Sequence, residues 1–365
     1  MSVPANYPSE DELAAWRIPS KSWWFWSVYD GHVGGQTSFL LKHTLLPNLH
    51  QALEPLYSDT ERPPTEAIHR VIKEAFLAVD DVLVKVPANA LLDAPEDELK
   101  TIAARVLVGA HAGSCALVSF YEANMRRLHV SVVGDSRAIL GRPRRGETAD
   151  GKTIYDVHVL SVDQTGKNEA EVARLTAEHP GEALFNDRGR FLGWGITRAF
   201  GNGVMKWSKE LQEFLQEKCL GDKPRATLLT PPYFTAMPEI TTTIIQPGDF
   251  MVMASDGLWD CLTNEEVVGL VGAWLGSKKG DAPVIERVDL PVVLTDEKTH
   301  YATSNVKKQF VVNSTVVDAD DVAQILALNA LGGSDRDLVG GLLSLLPPRA
   351  RQFRDDMSVI VVFFE

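Results

Sequence analysis

The chain has 365 residues, 45% of them hydrophobic, and carries 36 Lys and Arg against 49 Asp and Glu. That is enough for one large core, while the net charge of −13 argues against a general nucleic-acid-binding surface. No run reaches the roughly 20 apolar residues of a membrane helix, and MSVPANYPSEDE resembles neither a signal peptide nor a presequence. The three cysteines have no metal-ligand spacing and are predicted to be free thiols in a reducing compartment: Cys115, Cys219 and Cys261.

Hydrophobic periodicity predicts strands and helices in blocks. The predicted strands are the run beginning WWFW at residue 23, a hairpin at 113–121 and 127–140, the run 154–161, a strand–turn–strand over 239–260, and the closing 355–365. The predicted helices are 37–53, 65–86, 168–180, 263–275 and 318–333. Such blocks favour an α+β fold of antiparallel sheets with outer helices over a doubly wound fold.

Local signals refine this pattern. Thr263 followed by Glu266 is typical of a capping box, and Pro180 is expected to stop its helix. Trp24 and Trp26, two residues apart on a strand, should share one face. Residues 276–318 are polar and irregular, which predicts a surface insertion.

Acidic residues stand at the ends of β-rich runs from distant parts of the chain. They are Asp30 in VYDGH, Asp135 in VVGDSR, Asp256 and Asp260 in VMASDGLWD, Asp355 and Asp356 in FRDDMSV, and Glu10 and Asp11 before the first apolar strand. If these carboxylates converge, they repel one another and raise each other's pKa unless cations neutralise them. Mg²⁺ and Mn²⁺ prefer such oxygen ligands, and a neighbouring glycine permits close approach.

Each motif alone also has a purely structural interpretation. Asp30 with its glycine is commonly a turn, and the Glu10–Asp11 pair is commonly a solvated surface. Asp135 could cap its hairpin, the Asp355–Asp356 pair could protect an edge strand, and His32 could be a loop histidine. Their joint occurrence favours the metal site.

In order along the chain, the motifs are NYPSED, SVYDGHVGGQT, GSCALVSF, GDSRAIL, LSVDQTGKNEAEVARL, GRFLGWGITRAFGN, FMVMASDGLWDCLTNEEVV and RDDMSVIVV. Together they resemble the metal-dependent (type 2C) serine/threonine protein phosphatases, from about residue 5 to the C-terminus. The stretches DQTGKN, EHPGE and PRARQFRDDMSV are most similar to the mitochondrial pyruvate dehydrogenase phosphatase branch.

The resemblance implies a single domain over residues 1–365 with a truncated N-terminal strand. The fold would be a four-layer α-β-β-α sandwich of two antiparallel sheets. It also implies two Mg²⁺ or Mn²⁺ ions and a third, weaker one. By this resemblance, Asp30 bridges the two metals. The Gly31 carbonyl ligates one ion, whose shell Glu10 completes, and Asp256 and Asp355 ligate the other. Asp11 and Asp260 would hold metal-bound waters, and Asp135 would belong to the third site.

The implied chemistry is hydrolysis of phosphoserine and phosphothreonine in proteins. Two ions about 3.5–4 Å apart lower the pKa of a bridging water, whose hydroxide attacks the phosphorus in line. His32, beside the bridging Asp30, is the implied acid for the leaving oxygen. The branch resemblance implies a pyruvate dehydrogenase complex subunit as substrate and a mitochondrial location, with the cytoplasm as the alternative.

Four positions depart from the family pattern. Asn6 stands where some members have a phosphate-binding arginine, and Val33 interrupts the usual DGHGG. Asn202 replaces the usual acid after RAFG, and Trp194 enters a segment near the substrate groove. Asn6 agrees with the pyruvate dehydrogenase phosphatase branch, which also lacks that arginine. Asn202, Trp194 and the truncated N-terminal strand support an alternative hypothesis, a pseudophosphatase that binds phosphoproteins without turnover.

Overall fold

The computed structural model describes residues 1–144, 153–277, 284–293, 314–317 and 319–365. The strands in this part of the chain are β1 Ser2–Val3, β2 Glu12–Ile18, β3 Trp23–Tyr29, β4 Gly31–His32, β5 Gly113–Ser114, β6 Ala116–Glu122, β7 Arg127–Val133, β8 Arg137–Pro143, β9 Tyr155–Val159, β10 Phe200–Gly201, β11 Glu239–Ile244, β12 Phe250–Ala254, β13 Val284–Glu286, β14 Ser314–Val316 and β15 Met357–Phe363. The helices are α1 Gln36–Asp59, α2 Thr65–Ala90, α3 Leu99–Val106, α4 Val108–His111, α5 Glu169–Glu178, α6 Lys209–Lys218, α7 Asp256–Trp259, α8 Asn264–Gly276, α9 Val322–Leu331 and α10 Arg336–Ser344.

Two five-stranded antiparallel sheets form the centre of the fold. The first has the order β1-β15-β12-β8-β9 and the second β11-β7-β6-β3-β2. Their inner faces share one buried apolar cluster, which includes Val28, Leu117, Val130, Leu140 and Met251. Side chains alternate in direction along each strand, so every second residue faces the other sheet and the remaining residues face outward.

Helices cover both outer faces. Helices α1 and α2 pack on the second sheet, where Leu45 and Phe76 join Phe25 and Phe120 in one cluster. Helices α8 and α9 pack on the first sheet in a separate cluster. The predicted α+β fold, a four-layer α-β-β-α sandwich, is confirmed. Within the described ranges, no helix combines the length and apolarity that a membrane crossing requires.

Several local predictions are also confirmed. The rings of Trp24 and Trp26 stack with centroids 5.8 Å apart, on the face that packs between the sheets. Thr263 and Glu266 form the predicted capping box. Cys115, Cys219 and Cys261 are thiols that form no disulfide in the described part of the chain.

The structure contains a strand that sequence reasoning missed, β2, whose ELAAWRI pairs with all of β3. The predicted strand–turn–strand over 239–260 is present as β11 and β12. The two strands lie in different sheets, since β11 pairs with β7 in the second and β12 pairs with β8 and β15 in the first. The turn between them therefore crosses from one sheet to the other.

The sequence predicted two further features of the domain, a truncated first strand and a surface insertion at 276–318. For the truncated first strand, the structure has the two-residue β1, which pairs with Met357 and Ser358. Most of the predicted surface insertion 276–318 lies outside the described residues. Its described parts include the paired β13 and β14, and Leu290 and Val317 are buried against the first core cluster.

Candidate functional site

One end of the sandwich collects the acidic residues from both sheets. Asp30 follows β3, Asp135 follows β7, and Asp256 follows β12 as the first residue of α7. Asp355 precedes β15, and the Glu10–Asp11 pair precedes β2. Register explains the convergence, because β2 begins opposite the end of β3 and β12 ends opposite the start of β8.

Four of these carboxylates, those of Asp11, Asp30, Asp135 and Asp256, are close enough to affect one another's pKa. Burial raises the pKa of Asp30 well above its usual value, and the charges of Asp256, Asp11 and Asp135 raise it further. Burial likewise raises the pKa of Asp135, with Asp256 the next contribution. One ligand atom each from Asp30, Asp135 and Cys115 lies within 4.8 Å of the others. Converging carboxylate oxygens of this kind fit a hard divalent cation, which would remove their repulsion.

Asp11 lies deeper in the same end. It is 6% exposed, and burial, together with the charges of Asp356 and Asp256, raises its pKa to about 7. The Ser255 hydroxyl, which donates a hydrogen bond to Asp11 Oδ2 at 2.7 Å, partly opposes that rise. Asp11 is thus held by the residue that immediately precedes Asp256.

Glu10 and Gly31 are joined through the backbone. The Gly31 N–H donates to the Glu10 carbonyl at 3.1 Å, and a Cβ at position 31 would lie 2.3 Å from that oxygen, so only glycine fits. The Glu10 carboxylate accepts from the Gly34 N–H at 2.7 Å and from Asn6 Nδ2 at 3.0 Å. Glu10 is therefore fixed against the loop that carries Asp30.

Asp356 anchors the N-terminal segment. Its carboxylate accepts hydrogen bonds from the backbone N–H groups of Ala5, Asn6 and Glu10, the last two at 3.0 and 2.8 Å, and from Asn6 Nδ2 at 3.1 Å. Sequence reasoning singled out Asp355 as the ligand and gave Asp356 no separate role. Asp355 forms an ion pair with Arg351.

Asp260 lies one helical turn beyond Asp256. Its backbone N–H donates to the Asp256 carbonyl at 2.7 Å, and its charge contributes to the raised pKa of Asp135. Helix α7 therefore brings Asp260 into the same electrostatic environment as the other acids.

His32 stands beside the acids with two neighbours from the later half of the chain. Its Nε2 lies 2.8 Å from Asn202 Oδ1, and its ring centroid lies 5.7 Å from that of Trp194. A Cβ at Gly113 would lie 2.0 Å from Asn202 Oδ1 and 2.3 Å from His32 Nε2, so this glycine makes room for the pair. Burial, with a smaller effect of Lys206, lowers the pKa of His32 to about 4, so the imidazole is neutral near pH 7.

Val33, the residue that interrupts the usual DGHGG, comes immediately after His32. It is 66% exposed and has φ of 60°. A β-branched residue rarely adopts this left-handed conformation. The loop after His32 therefore keeps a strained backbone.

The comparison with known proteins assigns the family. A model of the protein phosphatase 2C family matches residues 9–290. The chain belongs to the protein phosphatase 2C family. Over its whole length the phosphatase is 37% identical to a protein phosphatase 2C homologue of Schizosaccharomyces pombe, covering 79% of that protein. It is a metal-dependent protein serine/threonine phosphatase, as the motifs indicated.

Other relatives and solved structures agree. The phosphatase is 34% identical to the mitochondrial [pyruvate dehydrogenase [acetyl-transferring]]-phosphatase 1 of Saccharomyces cerevisiae, over 99% of this chain and 67% of that protein. It is 28% identical to the Homo sapiens protein of the same name, over 99% of this chain and 76% of that one. The structure of a serine-threonine phosphatase 2C from Toxoplasma gondii matches all of this chain and 93% of its own at a TM-score of 0.54 and 16% identity, which supports the fold.

Two residues at the site were missed by sequence reasoning. The Cys115 thiol lies 3.4 Å from Asp135 Oδ1, and burial raises its pKa well above the usual value. Asp163 adds to the charge around Asp135 while holding Arg137 through two bonds of 2.8 and 2.5 Å. Asp163 follows β9 in VDQTG, so the strand-end signal that found Asp135 would also have found it.

The metal-free phosphatase should lose stability as the pH rises. Because the pKa of Asp11 is about 7 in the folded state against 3.8 ordinarily, the folded protein binds more protons than the unfolded chain between these values. The free energy of unfolding therefore falls from about pH 4 to about pH 7, at about 1.4 kcal/mol per pH unit, and levels off above pH 7. The last part of that loss, about 0.8 kcal/mol, falls above pH 6.5. The check is the Tm from about pH 6.5 to about pH 8, where most histidines are neutral, measured in EDTA and in saturating Mg²⁺.

The difference between the Tm in Mg²⁺ and the Tm in EDTA should increase with pH, because ionised carboxylates bind the cation. Asp11→Asn should flatten the curve measured in EDTA. A Tm in EDTA that climbs over this window would contradict the repulsion argument.

Proposed function

We propose that the phosphatase uses Mg²⁺ or Mn²⁺, two ions with a third bound more weakly, to dephosphorylate a subunit of the pyruvate dehydrogenase complex in mitochondria. The observation that carries the metal proposal is the group of buried acids whose pKa values are raised by one another. Such a group is most stable when a divalent cation neutralises it.

Each acid has a proposed role that follows its position. Asp30 and Asp256 would hold the ions from opposite sheets, with Glu10, Asp355 and the Gly31 carbonyl completing the donor set. Asp11 and Asp260 would orient water molecules, and Asp135 would hold the third ion. When bound, such ions activate water and neutralise the phosphoryl oxygens during displacement. Hydrogen bonds to the Glu10 carboxylate from Gly34 and Asn6 fix part of this geometry before substrate arrives.

His32 has a proposed role on the leaving group. It follows directly after Gly31, and the bond to Asn202 fixes the orientation of its ring. From there its protonated ring would donate the Nδ1 proton to the departing Ser or Thr oxygen, since Nε2–H is held by Asn202. Asn202 therefore supports the orientation of His32 and does not by itself favour a pseudophosphatase.

The substrate and the location are supported by relatives alone. The proteins of S. cerevisiae and H. sapiens that align with almost all of this chain bear the name of a mitochondrial pyruvate dehydrogenase phosphatase. Their alignment covers two thirds or more of those proteins. The shared core supports a shared phosphoprotein substrate.

The test compares phosphorylated pyruvate dehydrogenase with a generic phosphoserine peptide and an aryl phosphate. All three should be hydrolysed with Mn²⁺ or Mg²⁺, and EDTA should abolish hydrolysis reversibly. The complex should be preferred, by at least about tenfold in kcat/KM, which is about 1.4 kcal/mol. Equal kcat/KM on phosphorylated pyruvate dehydrogenase and on the generic peptide would overturn the substrate proposal. Folded protein without any metal-dependent turnover would overturn the catalytic proposal.

A further inference from the structure

A tryptophan forms a wall beside His32. Trp194 is half-buried, its ring lies 5.7 Å from that of His32, and on another side it packs against Phe234 at 5.6 Å. Two backbone hydrogen bonds with Phe191, at 2.9 and 2.8 Å, close the turn that carries it. The indole is thus held in place at the edge of the catalytic residues.

Two arginines line the same wall. The guanidinium of Arg225 lies over the Trp194 ring at 5.7 Å, and Arg190 Nη1 lies 3.4 Å from the place where Gly195 would carry a Cβ. Both arginines are exposed. Within the described ranges neither forms an ion pair, whereas Arg137 and Arg198 each hold a carboxylate.

Arg190 and Arg225 thus place two positive charges beside the acidic site, although the chain as a whole carries a net charge of −13. On the opposite side of the site, Asn6 occupies the position of a phosphate-binding arginine and already donates its amide to Glu10 and Asp356. Positive side chains beside an acidic centre attract negatively charged substrates and orient them.

We propose that Trp194 and Arg225 form a specificity wall that selects phosphoprotein segments bearing a carboxylate two or three residues from the phosphorylated Ser or Thr. This inference rests on the proposed function, since it concerns the substrate of that same site. The two ring contacts place the Arg225 guanidinium within about 11 Å of the His32 ring, which an extended segment spans in about three residues at 3.3–3.6 Å each. The indole supplies a flat apolar surface for the segment, and the arginine binds its carboxylate.

The experiment uses phosphoserine peptides that differ only by Asp or Asn at the second or third position on either side of the phosphoserine. Wild-type protein with Mn²⁺ should favour one Asp peptide by about fivefold in kcat/KM, mostly through KM, as a partly exposed ion pair would. Arg225→Gln should bring that ratio to about one, and Arg225→Lys should keep part of it. Arg225→Glu should favour a matched Lys peptide instead.

The matched control is Arg17→Gln. Arg17, on β2, also lies over a tryptophan, 4.5 Å from the ring of Trp24 on β3. Its removal should leave the peptide ratio unchanged. The wild-type ratio should also shrink as salt is added, because the ion pair is screened. A merely structural Arg225 would alter the rates without altering the ratio.

Hydrolysis of all peptides without any preference for the Asp forms would overturn the inference and leave the proposed catalysis intact. A preference that survives Arg225→Glu would also overturn it. Absence of turnover on the peptides and on an aryl phosphate would instead be the failure of the proposed function.

Discussion

The Asp256→Asn variant is expected to lose about 10³-fold of its metal-dependent turnover and yet to be more stable than wild type when metal is absent. Asp256 raises the pKa of Asp30, Asp135 and Asp11 by its charge. A neutral amide of the same shape removes that repulsion, so the metal-free Tm should rise by several degrees, as about 1–2 kcal/mol does in a domain of this size. It also removes a carboxylate donor, so less cation binds and the substrate oxygens lose their neutralising charge.

The measurement pairs kcat/KM at saturating Mn²⁺ with Tm in EDTA and in Mn²⁺. Wild type should gain stability from the ion, and the variant should gain little. Asp337→Asn is the control, because Asp337 is exposed in the first turn of α10 and should change neither quantity. If the variant were destabilised in EDTA, Asp256 would be a structural residue and the repulsion argument would fail.

The acids at strand ends could be predicted because two local signals coincide there. Apolar alternation marks where a strand stops, and an acid–glycine pair such as Asp30–Gly31 marks a turn that must stay close to another backbone. Ordered motifs then identified the family, and the layered fold follows from that identification. Convergence itself was not visible locally, since it depends on the register between strands far apart in the chain.

The roles of Asp356 and Cys115 were missed because they depend on long-range contacts that no local pattern reveals. Asp356 looks equivalent to Asp355 in the sequence, but only the folded chain shows that it receives the hydrogen bonds of the N-terminal segment. Cys115 sits in an ordinary β-rich run, and its contact with Asp135 comes from the meeting of two strands. Strand β2 was missed because ELAAWRI has two alanines and no strict apolar–polar alternation, so its pairing with β3 outweighs its own weak pattern.

The His32→Gln variant separates two roles for the histidine by the leaving group of the substrate. A serine alkoxide departs slowly unless it receives a proton, whereas nitrophenolate departs without one. If His32 supplies that proton, the variant should lose about 10²-fold on a phosphoserine peptide and less than about tenfold on p-nitrophenyl phosphate. The measurement is kcat on both substrates at saturating Mn²⁺.

The lowered pKa of His32 and its hydrogen bond to Asn202 determine whether the ring can act as an acid. Burial lowers the pKa of His32 to about 4, so near pH 7 only about one molecule in 10³ carries the imidazolium. The one N–H of the neutral ring, on Nε2, is already donated to Asn202 Oδ1, so the acid role requires the imidazolium, which carries a second N–H on Nδ1. A ring that only positions substrate would lower both rates alike. Equal losses on the two substrates would therefore contradict the acid role and assign His32 to positioning. His43→Gln is the matched control, because His43 lies on α1 against Phe39 and should leave both rates unchanged.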